Sequence, residues 1–253
     1  MKITWYGTAS LSLQSGQSTL WIDPFYPLKH SRVHIPKNAF ADCREILISH
    51  GHFDHIGSLG SIANAQTTVY CTAVPYASLL GMGLSKAQLC QIHPNSKLQI
   101  GAFQVQVLQG KHGRAGVALV CKSLFRKQTF VYRRELLTLI RESFKYKEKK
   151  ETVCYQISAE EKTIFVMGSL ALQKQYVYSK GMDLLVLPYQ GTANTLRSSE
   201  EIVERLHPKA VLLSHFDDTF PPISSTVNTV PFEQRMKEKI TVYRVKQGGS
   251  IEL

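Results

Sequence analysis

The stretch EILISHGHFDHIG, residues 45–57, decides the reading of this chain. A hydrophobic run, EILI, has the look of a strand and leads straight into His50, His52, Asp54 and His55. Three imidazoles and a carboxylate so close together cannot all be core groups, because a buried polar side chain costs free energy unless it is partnered. Imidazole nitrogens and carboxylate oxygens are instead the donors that zinc and its transition-metal neighbours take. His50 and His52 alternate and extend from one face of a turn, while Asp54 and His55 can point to a second position nearby. The pattern suits two neighbouring cations.

A site at the end of a strand needs donors from other loops. His112 follows the alternating run FQVQVL (103–108), and His215 follows AVLLS (210–214). Either alone reads as a satisfied or surface histidine, but beside the 45–57 cluster both become candidate ligands. His93 and His207 keep the ordinary reading, His207 as a helix-end residue before Pro208. His30 and His34 share a loop that could border a site.

Outward from the cluster the first half reads as sheet, with runs KITW (2–5), SLSLQ (10–14), TLWI (19–22) and TVYC (68–71). Weaker helical segments are expected around 74–82 and 85–90. In the second half, TIFVM (163–167) and LLVLP (184–188) predict strands, followed by a helix and then the strand AVLLS. Ser198 and Glu201 have capping-box spacing ahead of Ile202, Val203 and Leu206, so the helix is expected to start there and to end before Pro208.

Residues 126–151 carry nine Lys or Arg against four Glu, with Leu136, Leu137, Leu139, Ile140 and Phe144 at roughly helical spacing. This predicts an inserted amphipathic helix with a basic face. Arg133, Arg134, Arg141, Lys145 and Lys147 would attract a phosphorylated or nucleic-acid substrate or a membrane surface. A solvated helix packing its leucines on the body or on a second subunit of a homo-oligomer is an equal alternative. No internal repeat or long linker divides the chain, which therefore reads as one domain over residues 1–253.

Composition narrows the function classes. With 253 residues, 43% hydrophobic and 19% charged, the chain is neither collagen-like nor disordered. No run approaches the roughly 18 apolar residues of a membrane-spanning helix, and MKITWYGTASLSLQSG does not read as a signal peptide. Five scattered cysteines without a CxxC spacing argue against a disulfide framework or thiolate zinc cluster and favour a cytoplasmic home. The net charge of +11 draws anions: small anionic or phosphorylated substrates, and nucleic acid without sequence specificity, since no base-reading motif is present.

The series His50-x-His52-x-Asp54-His55, then His112, then His215, with the strand-end Asp23 of LWIDPF ahead of it, resembles the metallo-β-lactamase superfamily. Residues 187–216, LPYQGTANTLRSSEEIVERLHPKAVLLSHF, are similar to the branch containing L-ascorbate-6-phosphate lactonase-like proteins. The resemblance implies an α+β fold, a four-layer αββα sandwich with the metal centre at one edge of two sheets. It implies that His50, His52 and His112 hold one metal and Asp54, His55 and His215 the other. It also implies that Asp54 acts catalytically on a metal-activated water and that Asp23 buttresses the site. The implied activity is metal-dependent hydrolysis of an ester, lactone or phosphodiester. Zn2+, one or two per chain, is the default for such donors, with Mn, Fe or Ni as alternatives.

One departure stands out. Where the family usually places a metal-bridging Asp, this chain has MGSLAL and Ser169. Loss of a shared carboxylate predicts weaker or partial occupancy, chiefly at the second metal. Asp217 or Asp218 could supply the missing charge or serve as ordinary turn residues. Thr8 stands where lactonase-like relatives often have histidine. The alternative function is therefore a catalytically weak or inactive module that binds metal or senses a ligand.

Overall fold

Apolar residues on both faces of a strand require two contact layers, and the central strands of this protein meet that requirement. The computed structural model describes residues 1–28, 31, 33–113, 146, 148–219, 221 and 224–253. Among them are fourteen strands: β1 (Lys2–Gly7), β2 (Ser10–Ser15), β3 (Ser18–Ile22), β4 (Glu45–Leu47), β5 (Thr68–Cys71), β6 (Leu89–Gln91), β7 (Lys97–Ile100), β8 (Phe103–Gln109), β9 (Val153–Ala159), β10 (Lys162–Met167), β11 (Leu184–Pro188), β12 (Ala210–Ser214), β13 (Thr241–Tyr243) and β14 (Gly249–Glu252).

They form two seven-stranded sheets, ordered β14-β1-β2-β3-β4-β5-β6 and β13-β12-β11-β10-β9-β8-β7. In the first sheet β1 to β3 pair antiparallel and β3 to β6 parallel. The second repeats this scheme, antiparallel from β8 to β10 and parallel from β10 to β13. The two halves of the chain thus share one strand plan, although no sequence repeat reveals it.

The period-two alternation sorts side chains between layers. Leu20, Ile22 and Leu47 join a central core with Trp5, Leu11 and Leu13 of the first sheet and Phe103, Tyr155 and Phe165 of the second. Trp21 and Ile46 project to the opposite side, where with Ile48 they meet α1 (Phe53–Ile56), α2 (Leu59–Ile62) and α3 (Ala73–Gly81) through Ile56, Leu59, Ile62 and Leu79. On the second sheet, α4 (Thr195–Leu206) buries Ile202 and Leu206, and α5 (Val230–Met236) buries Phe232 and Met236. The layers run helix, sheet, sheet, helix, as the resemblance implies.

Three local expectations change. Residues 85–90 form only a 3-10 turn, Lys86–Gln88, and then enter β6, because pairing with β5 outweighs a short weak helix. The helix expected from Ser198 begins at Thr195: the Asn194 side chain accepts the Arg197 N–H at 3.1 Å and caps it one turn earlier. Strands β7, β9, β13 and β14 extend the sheets beyond the runs read from sequence. The predicted basic insertion at 126–151 lies outside the described residues except for 146 and 148–151, and His30 lies outside them too. Among the described residues no helix is long and apolar enough to cross a membrane.

The two sheets approach each other closely just after β10. A Cβ on Gly168 would lie 2.5 Å from the Val153 carbonyl oxygen and 2.7 Å from Ser49 Cβ. Gly168→Ala is therefore expected to cost about 2 kcal/mol and lower the Tm by roughly 4–8 °C, as calorimetry of the metal-free chain would record. An unchanged Tm would contradict this close approach.

Candidate metal centre

The site lies where strands end, because each strand delivers its next residues to the same rim. β4 leads into Ser49 and His50; His52 caps α1 in extended conformation, and α1 carries Asp54 and His55. His112 comes from the loop after β8, and His215 directly follows β12. Around the site three non-glycine residues at strand ends adopt left-handed backbone: Thr8 (φ 47°), Asp23 (φ 46°) and His215 (φ 57°). Such conformations cost about 1–2 kcal/mol each and persist only where neighbours hold them. Here the His215 N–H donates to the Thr8 carbonyl at 2.8 Å, and the Asp23 N–H to the Leu47 carbonyl at 3.1 Å. The Thr8 N–H in turn donates to both Asp217 carboxylate oxygens, at 3.0 and 3.1 Å.

Beneath the histidines runs a buried polar chain. The Ser49 N–H and hydroxyl donate to the two Asp23 oxygens at 2.8 and 2.6 Å. His55 Nδ1 lies 2.8 Å from Asp23 Oδ2, and His50 Nδ1 lies 3.0 Å from Ser49 Oγ. The only hydroxyl proton of Ser49 goes to Asp23, so Ser49 Oγ can only accept from His50. Both imidazoles therefore carry their protons on Nδ1 and present the Nε2 lone pair outward, the arrangement that orients metal-binding histidine.

Two groups of donors face each other across this chain. The donor atoms of His50, His52 and His112 all lie within 4.8 Å of one another, and so do those of Asp54, His55 and His215. The groups abut, since the His50 and His55 ring centroids are 3.9 Å apart. Within the first group His50 Nε2 is 3.2 Å from His52 Nδ1; within the second, His215 Nε2 is 3.0 Å from Asp54 Oδ2. His215 Nδ1 lies 3.3 Å from Gln190 Oε1, which completes its orientation. The donor chemistry fits one divalent cation per group.

Electrostatics separate the two groups. Burial, reinforced by neighbouring imidazoles, pushes the pKa of His50 well below its ordinary value and that of His52 down to about 4. Burial lowers His112 as well. These three are neutral donors at pH 7. At His55 burial opposes charge, but the Asp23 and Asp54 carboxylates outweigh it and raise the pKa. Burial alone would raise Asp54, yet His55 and His215 hold it well below the usual carboxylate range.

Ser169 braces a neighbouring loop. Its hydroxyl oxygen accepts the Gly113 N–H at 3.0 Å and so secures the loop that carries His112. Asp217 is turned to Thr8 and to Gln247, whose Nε2 donates at 3.2 Å, and Asp218 accepts the Ser224 hydroxyl at 2.6 Å. Neither belongs to either donor group. Sequence reasoning missed Ser49 and Gln190. Ser49 adjoins the histidine cluster, but only the fold brings Asp23 under it, and no spacing marks Gln190 at the end of β11.

A family model described as a beta-lactamase superfamily domain matches residues 2–215. A UPF0173 metal-dependent hydrolase of Xanthobacter autotrophicus is 30% identical over 124 residues, 46% of this chain and 50% of that protein. Its counterpart in Listeria monocytogenes is 32% identical over 114 residues, 45% of this chain and 49% of the relative. The chain spans about half the length of the relatives it matches. Among solved structures, a metallo hydrolase of Ignicoccus hospitalis superposes with a TM-score of 0.65 at 15% identity, covering 99% of this chain and 97% of that one. At that identity the likeness is one of fold.

Ser49→Ala and Asp23→Asn should each weaken metal binding by roughly 10–100-fold, measured by competition with a chromogenic chelator. Wild-type affinity in both would contradict the orienting role. In the metal-free protein the lowered His50, His52 and His112 favour unfolding when protonated, so their stability is full above about pH 6.5 and is lost as pH falls toward 4. His55 acts in the opposite sense, but three groups outweigh one. A Tm drop of roughly 5 °C between pH 7 and 5 is expected after chelation, and a rise would show the imidazoles to be charged.

Proposed function

The chain belongs to the metallo-β-lactamase superfamily, and on that premise we propose that it is a metal-dependent hydrolase of a small anionic or phosphorylated ester, lactone or phosphodiester. Its donors are His50, His52 and His112 for one cation and Asp54, His55 and His215 for the other. The observation that carries this reading is the convergence of two donor groups whose outward nitrogens are set by Asp23 and Ser49. The relatives named as metal-dependent hydrolases support it. Zn2+ is the cation an imidazole-rich set favours, and Mn, Fe and Ni take the same donors.

A bound divalent cation supplies Lewis acidity, lowering the pKa of water to about 7 and polarising the bond to be cleaved. The protein's part is to hold and aim. The first group offers neutral imidazoles, so no proton has to leave before they donate. Asp54 stays ionised at neutral pH because His55 and His215 face it, and its carboxylate can orient the attacking water or accept its proton. Asp23 buttresses from below through His55 and Ser49.

A second reading rests on Ser169. With a hydroxyl at position 169, which accepts the Gly113 N–H, in place of a carboxylate, Asp54 is the one acid among the six candidate donors. Less negative charge weakens occupancy, first in the second group, where His55 also holds a proton more tightly. A metal-binding or ligand-sensing module with little turnover is the alternative. The unpaired cysteines among the described residues support a reducing, cytoplasmic setting, with residues 1–253 acting as one domain.

Elemental mass spectrometry on protein purified without chelator or histidine tag is expected to find between one and two metals per chain, the second lost first on dilution. His52→Ala should slow hydrolysis of a phosphodiester or lactone by roughly two orders of magnitude or more. An unchanged rate would sink the hydrolase reading. Ser169→Asp separates the alternatives: a large gain in activity marks a degraded centre, whereas a loss marks one adapted to serine.

A further inference from the structure

Beside His112 a cleft of about 490 Å³ opens between the 111–113 loop, the stretch after β10 and the exposed side of α4. Its volume lies within the range of small-molecule pockets. Leu170, Leu172 and Ile202 line it with buried apolar surface, and Lys111 and Lys174 stand exposed at its edge. The one acid on its wall, Glu201, is engaged by Arg197 at 2.8 Å, so the cleft carries a net positive charge.

One detail marks it as built rather than incidental. Arg205 donates to the carbonyls of Gln173 (2.8 Å), Lys174 (3.3 Å) and Tyr176 (2.6 Å), and its guanidinium lies 5.0 Å over the Tyr178 ring. The segment presenting Lys174 is thereby tied down.

We propose that this cleft is a subsite for an acidic group on the substrate, with Lys111 and Lys174 as its cationic contacts. The substrate class is then an ester or lactone that joins an apolar body to a carboxylate or phosphate. The apolar floor takes the body, the edge takes the anion, and the shared His112 loop sets the cleavable bond beside the candidate metal centre. The assignment of the anion as part of a substrate rests on the hydrolase reading above; the anion site itself does not.

The test is calorimetric titration of the full chain, both metal-loaded and chelator-treated, with phenylphosphonate, phenylacetate and uncharged phenylacetamide. At least one of the two anions should bind saturably in both states, and the amide at least about tenfold more weakly. The double variant Lys111→Gln/Lys174→Gln should lose about tenfold in affinity for the anion. Lys237→Gln/Lys239→Gln removes the same charge from exposed positions elsewhere and should leave binding within twofold. Whichever anion binds tighter identifies phosphate or carboxylate as the preferred group. The proposal is overturned if neither anion binds saturably, if the amide binds as well, or if the cleft variant matches the control. Because chelated protein is read alongside, a failure of hydrolysis would strike the hydrolase reading and leave this outcome separately legible.

Discussion

The carboxylate of Asp23, almost wholly shielded from water, is the point from which the site is organised. It accepts from Ser49 twice and from His55 once, and through Ser49 it also sets His50. One histidine from each donor group is thus oriented by the same acid. The backbone of Asp23 is left-handed, a cost met by a hydrogen bond to Leu47 at the end of the neighbouring strand. The arrangement requires β3 and β4 to lie side by side and parallel, so sheet topology and site geometry depend on each other.

A second brace comes from the far end of the chain. Asp217 grips the Thr8 N–H, and the Thr8 carbonyl holds the N–H of His215. Burial raises the pKa of Asp217, offset in part by the nearby His215 and by Thr8 and Gln247, which donate to the carboxylate. This acid acts on backbone and not as a candidate metal donor. The contrast between Asp23, Asp54 and Asp217 is instructive: three buried carboxylates in one region, each with its own partners.

Ser169 gives the centre its particular character. Where the resemblance implies a carboxylate, it supplies a neutral acceptor for Gly113, tightening the loop that bears His112 and one wall of the basic cleft. The absence of a carboxylate at position 169 and the bracing of the cleft are two consequences of the same residue. The surplus of lysine and arginine in the composition acquires a local meaning at Lys111 and Lys174.

Much of this was legible in the chain. A hydrophobic run ending in His50, His52, Asp54 and His55 reads as a strand delivering candidate donors, because no core tolerates four such groups unpartnered. His112 and His215 were legible by their position after strands, and Ser169 as a departure by resemblance. The start of α4 was not, since Asn194 and Ser198 both satisfy local capping rules and only the helix's packing selects between them. The pairing of Asp23 with Ser49 and His55, the brace from Asp217 to Thr8, and the cleft between the 111–113 loop and α4 all join residues far apart in sequence. Local pattern determined which side chains were available as donors. Tertiary structure alone decided which nitrogen each imidazole presents and which carboxylate faces it, because those depend on contacts that exist only once the two sheets have packed.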